Sequence, residues 1–277
     1  MCAEALDIAP TADPPRARNG SYGTIVVVGG GCYGAYYVRQ LARADAAGAL
    51  SWNSLLVVDR DPACRVAREA RAVPVEASHS PAPTVVASDW AGFFRDYFDR
   101  AAAAASGTER DAIVPSPLMP HLMYEWLIER ARARWPVRRI VTEALQRPPN
   151  LPWQMAGAGG VHFGSFAEWI CPINCIEPPL CPEIRGPRTW SMPPALRSYV
   201  TSERQRGHEI HGPIVFHCEH RAYGVGMFDT AAVLEADRLV AEVAASSAAK
   251  VLVGTVSHCH GALALLAIGE PSDAPSR

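Results

Sequence analysis

Lysine is almost missing from this chain: of its 26 basic residues only Lys250 is a lysine and the rest are arginine, a bias that with the alanine runs fits a G+C-rich genome and carries no functional meaning. Net charge is scarce too. The 26 basic residues stand against 28 acidic ones, a formal balance of -2, so there is no basic excess to neutralise a phosphate backbone or to hold an anionic membrane surface. Nucleic acid is thereby excluded as an expected partner. Long apolar runs are absent: a stretch such as Ala262 to Ile268 falls far short of the roughly 20 residues that a bilayer-spanning helix needs, and no membrane span is expected. Residues 1 to 22 hold Glu4, Asp7, Asp13 and three prolines without an apolar core, which reads as a disordered leader rather than a secretory signal, and the expected compartment is the cytoplasm. No repeat of solenoid or propeller period occurs.

What is present is a chain of 277 residues, 49% hydrophobic and rich in proline (24), glycine (21) and cysteine (8), long enough for one large or two modest domains. Eight cysteines in a reducing compartment point to metal binding or redox chemistry rather than to four disulfides.

The first half alternates strand and helix patterns. Thr24 to Val28 is a β-branched run, Tyr33 to Ala44 has helical spacing, and Leu55 to Val58 is a second buried strand. Asp61 is placed to cap a helix that begins at Pro62 and runs to about Arg71. Further strands are expected at Thr84 to Ala87, Ala112 to Val114 and Val137 to Val141, with helices at Asp89 to Ala105 and Met119 to Trp135 between them. Such alternation predicts an α/β fold, a doubly wound parallel sheet covered on both faces. Between Arg147 and Pro194 ten prolines in 48 residues leave little room for regular structure, so order there must come from elsewhere. A strand at Pro213 to Phe216, a helix at Asp229 to Ala245 and a hairpin of Val251 to Val256 with Ala262 to Ile268 complete the reading. The expected division is a leader (1–22), a dinucleotide-binding domain (23–146) and an α+β metal-bearing region (147–277).

Gly29, Gly31 and Gly34 fit G-x-G-x-x-G after a strand and at the opening of a helix. In that motif the first glycine permits the tight turn, the second lets backbone approach a pyrophosphate, and the third allows close packing, while the helix N-terminus favours the phosphates. Asp59 ends the second strand, where a carboxylate accepts hydrogen bonds from the hydroxyls of an adenosine ribose, which favours NAD over NADP. It lies 25 residues past Gly34, beyond the usual interval of about 20, an excess the polar stretch from Asp45 to Ser54 would explain. The neighbouring Arg60 keeps a 2′-phosphate open, and FAD is a further adenosine ligand of such turns. On these residues the first half resembles a Rossmann-type NAD(P)-binding domain, similar to those of TrkA-type nucleotide-sensing proteins and precorrin-2-dehydrogenase-like enzymes. The resemblance implies a bound dinucleotide and no particular reaction.

Cys171, Cys175 and Cys181 follow one another as C-x3-C-x5-C, with proline after the first and third. Thiolates this close on a proline-stiffened loop are able to surround one metal centre, and the loop resembles a ferredoxin-like iron-sulfur ligand run more than a zinc knuckle. A fourth ligand must come from elsewhere: Cys218, at the end of a strand, is preferred to Cys259. The tracts His217-Cys218-Glu219-His220 and His258-Cys259-His260 keep zinc as an alternative. Secondary candidates are Cys32 at a helix N-terminus, His121 with Glu125 as a proton-transfer pair, Arg185 with Arg188 as an anion clamp, and the Tyr223-Gly224-Val225-Gly226 turn; Cys64 reads as packing and Cys2 as part of the leader. The function these features suggest is an NAD(P)-binding iron-sulfur oxidoreductase working with a small molecule or an electron-transfer partner. The alternative is a nucleotide- or redox-sensing regulatory protein with a structural metal.

Overall fold

A computed structural model of the protein describes residues 20–72, 79–104, 110–167 and 175–271. In chain order the elements are β1 (Gly20–Val28), α1 (Cys32–Ala46), β2 (Leu50–Asp59), α2 (Arg65–Ala72), β3 (Thr84–Ala87), α3 (Trp90–Ala103), β4 (Ala112–Val114), α4 (Leu122–Arg134), β5 (Ile140–Glu143), β6 (Trp153–Ala156) and β7 (His162–Ser165). The short strands β8 (Leu180–Cys181) and β9 (Gly186–Pro187) precede α5 (Met192–Gln205), β10 (His211–His217), β11 (Glu219–Ala222), β12 (Val225–Asp229), α6 (Thr230–Val243), β13 (Ala249–Val256) and β14 (His260–Ile268). The fold is α/β, with parallel and antiparallel strands and six α-helices among the described residues.

Contacts divide the chain into two compact units, one of Met1–Met119, Pro172–Pro178 and Cys218–Ala231, the other of Pro120–Cys171, Pro179–His217 and Ala232–Arg277. The composition had suggested a division after residue 146. Of the expected leader, residues 1–19 lie outside the described residues, and Gly20, Ser21 and Tyr22 belong to β1.

The first unit holds a six-stranded sheet in the order β11-β12-β4-β1-β2-β3. Strands β4, β1, β2 and β3 are parallel, and β12 adds antiparallel to β4 through Phe228↔Ile113 and Asp229↔Ala112. The β-branched run of β1 lies at the centre, so Ile25, Val26 and Val27 are fully buried. Asp89 caps α3 by accepting from the Gly92 amide (2.8 Å), and stacked pairs Phe93/Tyr97 and Phe94/Phe98, four residues apart, make its apolar face.

Two expectations change here. The polar stretch from Asp45 to Ser54 is not a connection: α1 runs to Ala46, β2 starts at Leu50, and the long interval to Asp59 comes from a 15-residue helix and a 10-residue strand. The second helix starts at Arg65 rather than Pro62, because Asp61 turns its carboxylate to the Ala63 amide (2.8 Å) in a tight turn. Asp45 itself is buried and accepts from the His79 and Ser80 amides (2.6 and 3.0 Å) and the Ser80 hydroxyl (2.6 Å). Replacing Asp45 with Asn turns an amide donor toward one of these donors and removes the charge, so urea unfolding should show a loss of about 2 kcal/mol.

The second unit holds a sheet in the order β10-β13-β14-β7-β6, with β5 also paired to β14. The expected hairpin is β13 with β14, registered from Ala249↔Ile268 to Val256↔Gly261, and β10 runs parallel to β13. The strand expected at Val137 to Val141 is β5, and it pairs antiparallel with β14 instead of closing the parallel sheet of the first half. Helix α4, expected to flank that parallel sheet, also belongs to the second unit. Helix α5, which the proline-rich composition had hidden, carries proline in its first turn, where no intrahelical amide bond is lost. It packs Leu196 and Val200 with Leu252, Leu263 and Leu265. Arg138 is buried and donates to the carbonyls of Gly269, Ala244 and Ser247, tying the ends of α6 and β14 together.

Candidate functional site

The glycine turn joins β1 to α1 at the C-terminal edge of the parallel strands. Gly29 has φ +87°, and its amide donates to the Val58 carbonyl (2.9 Å), binding the turn to the end of β2. At Gly34 a side chain is excluded: a Cβ there would stand 1.8 Å from the Gly29 carbonyl oxygen. At Gly31 the reverse holds, because a Cβ would meet nothing within 4 Å, so the backbone faces open space. Gly31 is also the N-cap of α1, which receives no side-chain cap and has no acidic residue in its first turn. The positive end of the helix is left for an anion to meet.

Asp59 closes the site from β2. Its Oδ2 accepts from the Gly30 amide (2.7 Å) and its Oδ1 from the Asp61 amide (2.9 Å), so the carboxylate fixes the glycine turn to the strand end. A carboxylate offers about four lone-pair positions, which leaves acceptor capacity for the hydroxyls of a ligand.

Two neighbours went unread in the sequence. Gly30, the glycine outside the motif, is enclosed: a Cβ would lie 2.3 Å from Cys64 Sγ, and its carbonyl accepts from the Val66 amide (3.0 Å). Trp90 donates its indole N–H to the Val58 carbonyl (3.0 Å) and sits 3.5 Å from where a Gly29 Cβ would be, lining the turn with an aromatic face. An aromatic residue just past β3 was the available signal. On the other flank Arg65 points a guanidinium nitrogen at Cys32 Sγ (3.9 Å) and pairs with Glu69 (2.5 Å), which Arg39 also holds (2.8 Å).

The cysteines are less gathered. Cys171 lies outside the described residues, and Cys181 is buried in β8 of the second unit. Cys175 and Cys218 belong to the first unit, where Glu177 relates them: its amide donates to Cys175 Sγ (3.4 Å), and its carboxylate acts on Cys218. Burial, helped by the Glu177 charge, pushes the Cys218 thiol up to about 12. Among the described residues no group of three or more histidine, cysteine, aspartate or glutamate side chains is arranged to hold a metal ion. Cys175 and Cys218 are two of the four thiols that an iron-sulfur cluster takes.

Of the histidine tracts, His258-Cys259-His260 and His217 lie in the second unit, and Cys218-Glu219-His220 lies in the first. His258 Nδ1 pairs with the Ser191 hydroxyl (2.8 Å), His260 Nδ1 with the Ser165 hydroxyl (2.9 Å), and the Trp190 indole donates to Cys259 Sγ (3.4 Å). His217 meets His258 edge to face, at 4.6 Å between ring centres. His121 is buried, with its ring stacked on Tyr124, and Glu125 is exposed. Arg185 is exposed, and the Arg188 amide donates to the Pro179 carbonyl (2.7 Å) beside the β8–β9 pair. Tyr223 (φ 47°) and Gly224 (φ 78°) are the two left-handed residues of the β11–β12 hairpin, which makes that glycine turn a hairpin turn rather than a phosphate cradle.

A protein family described as "Uncharacterized protein, C-terminal domain" (AF_1314_C) matches residues 123–269, and the chain belongs to that family. No curated protein and no solved structure matches the chain. Among the described residues no helix is long and apolar enough to cross a membrane.

Proposed function

We propose that the first unit is a Rossmann-like dinucleotide-binding module, and that the chain is an NAD(P)-binding oxidoreductase. The observation that carries this reading is the Gly31 position, open in front of an uncapped helix N-terminus, beside an acidic residue that ends the adjacent strand and holds the turn. The order β3-β2-β1-β4 of the parallel strands supports it, since in sheets of this winding ligands bind at the carboxyl ends of the strands. In this reading Gly29, Gly31 and Gly34 shape the cradle, the α1 amides meet the pyrophosphate, and Asp59 accepts from the ribose hydroxyls, favouring NAD over NADP. The nicotinamide would supply hydride chemistry.

Calorimetry with NAD(H), NADP(H) and FAD tests the assignment. Saturable NAD(H) binding, weaker for NADP(H), is the expected result; no heat from any of the three ends the proposal. The iron-sulfur assignment of Cys171, Cys175, Cys181 and Cys218 rests on their spacing and on Glu177 relating Cys175 to Cys218. Iron and sulfide analysis of anaerobically purified protein should find both, and a colourless, iron-free sample would remove the cluster from the reading. Turnover of NADH with an artificial one-electron acceptor, lost in Cys175→Ser, separates the oxidoreductase from a regulatory protein that binds nucleotide without turnover.

A further inference from the structure

The second unit contains a cavity of about 570 Å³, within the size range of small-molecule sites, and none of the chemistry above uses it. Its floor is one face of the sheet. Lys250, Ala267 and Val141 lie side by side across β13, β14 and β5, and Leu265 lies beside Glu143 on the same face. Helix α5 packs on this face at Leu252, Leu263 and Leu265 and stops at Gln205. Past its end the face continues with Val141 and Ala267 beside the paired Lys250 and Glu143, and residues 207–211 also line the cavity.

Most charges lining the cavity are already matched. Glu203, buried on α5, accepts from Arg206 Nη1 (2.8 Å) and His208 Nδ1 (2.6 Å); burial works against its ionisation, but these hydrogen bonds outweigh it and hold the carboxyl below its ordinary value. Glu143 is paired with Lys250 (2.6 Å). That leaves one charge of each sign at the rim, Arg139 and Glu209, neither with an ion-pair partner among the described residues. Arg139 sits beside the end of β14, its carbonyl accepting from the Gly269 amide, and Glu209 leads into β10 at the far side of β13. Three strand spacings, roughly 14 Å of backbone, separate them, a gap that an arginine and a glutamate side chain are long enough to narrow to the scale of an amino acid or a dipeptide. A ligand with net charge would leave one rim group unmatched; a zwitterion satisfies both. Tyr199 lines the same wall and keeps its proton to about 12, through burial and the Glu203 charge, so its hydroxyl remains a donor.

We propose that this cavity binds a small zwitterion with an apolar body, a free amino acid or short peptide, its carboxylate on Arg139, its ammonium on Glu209 and its apolar part over Val141, Leu265 and Ala267. The site is independent of the nucleotide reading. Calorimetry with leucine, with leucyl-leucine and with uncharged N-acetylleucinamide tests it on the full chain. Saturable binding of leucine indicates a free amino acid, and binding of the dipeptide alone indicates a peptide; either supports the proposal. Arg139→Gln and Glu209→Gln, both exposed positions, should each weaken binding about tenfold or more, and Ala267→Phe should abolish it by filling the floor while circular dichroism holds. No binding of either zwitterion, equal binding of the capped analogue, or affinity unchanged in both rim variants would overturn the assignment.

Discussion

Gly34→Ala should unfold or severely loosen the first unit, while Gly31→Val should leave its stability near the parent value and still remove nucleotide binding. The two glycines sit three residues apart in one motif and differ only in what surrounds them. At Gly34 the added carbon would stand 1.8 Å from the Gly29 carbonyl oxygen and 2.9 Å from its carbon, both backbone atoms that cannot rotate away. Relief requires moving α1 or the turn, and with them the Val58 and Asp59 hydrogen bonds, at a cost of about 3 kcal/mol or more. At Gly31 the side chain enters open space, and the φ of -75° lies outside the left-handed region that favours glycine. A Cβ there meets no described atom within 4 Å, so the added side chain enters the space that a ligand would occupy. Denaturant unfolding and NAD(H) calorimetry on the same two variants separate the roles; a Gly31→Val protein that binds NAD(H) like the parent would refute the cradle.

The second large effect concerns acid. Burial lowers the His121 pKa to about 3, and its imidazole stacks on Tyr124 with Nδ1 against the Thr255 hydroxyl (3.3 Å). The folded protein therefore keeps His121 neutral at pH values where the unfolded chain, with an ordinary value of 6.5, takes up a proton. Stability is fully present above about pH 6.5 and falls as pH drops toward 3, because the unfolded state binds the extra proton. Between pH 7 and pH 4 this group alone should cost roughly 3 kcal/mol. His121→Phe retains the aromatic stack and cannot titrate, so its urea midpoint should lose this acid limb. A parent and variant with parallel stability profiles from pH 7 to 4 would show that His121 is not the group responsible.

Local signals explain what could be read in advance. The β1-turn-α1 unit was legible because a β-branched run, three consecutive glycines and helical spacing fall within some twenty residues, and the β13–β14 hairpin because two apolar runs flank a short polar turn. Sheet membership was not legible. Residues 140–143 have a strand's composition wherever they pair, and only the register Leu265↔Glu143 to Ile268↔Ile140 assigns them to β14. The same holds for β12, whose partner β4 lies more than a hundred residues earlier. In the candidate site the motif glycines and Asp59 were visible from spacing. Gly30 and Trp90 were not, since their roles come from Cys64, Val66 and Val58, contacts that no interval along the chain encodes. The cysteine spacing is a signal along the chain alone: Cys175 and Cys181 are six residues apart and fall in different compact units.

The chain's return to the first unit for Cys218–Ala231 has a practical outcome for anyone dissecting the protein. A fragment ending at residue 119, or at residue 146, retains the glycine turn but loses β12, which covers the outer edge of β4. Ala112, Ile113 and Val114 would then present bare amides and carbonyls on a short apolar rim, a template for intermolecular pairing and precipitation. Ligand assays on such truncations would report on aggregates, and the nucleotide site is best studied by point substitution in the intact polypeptide.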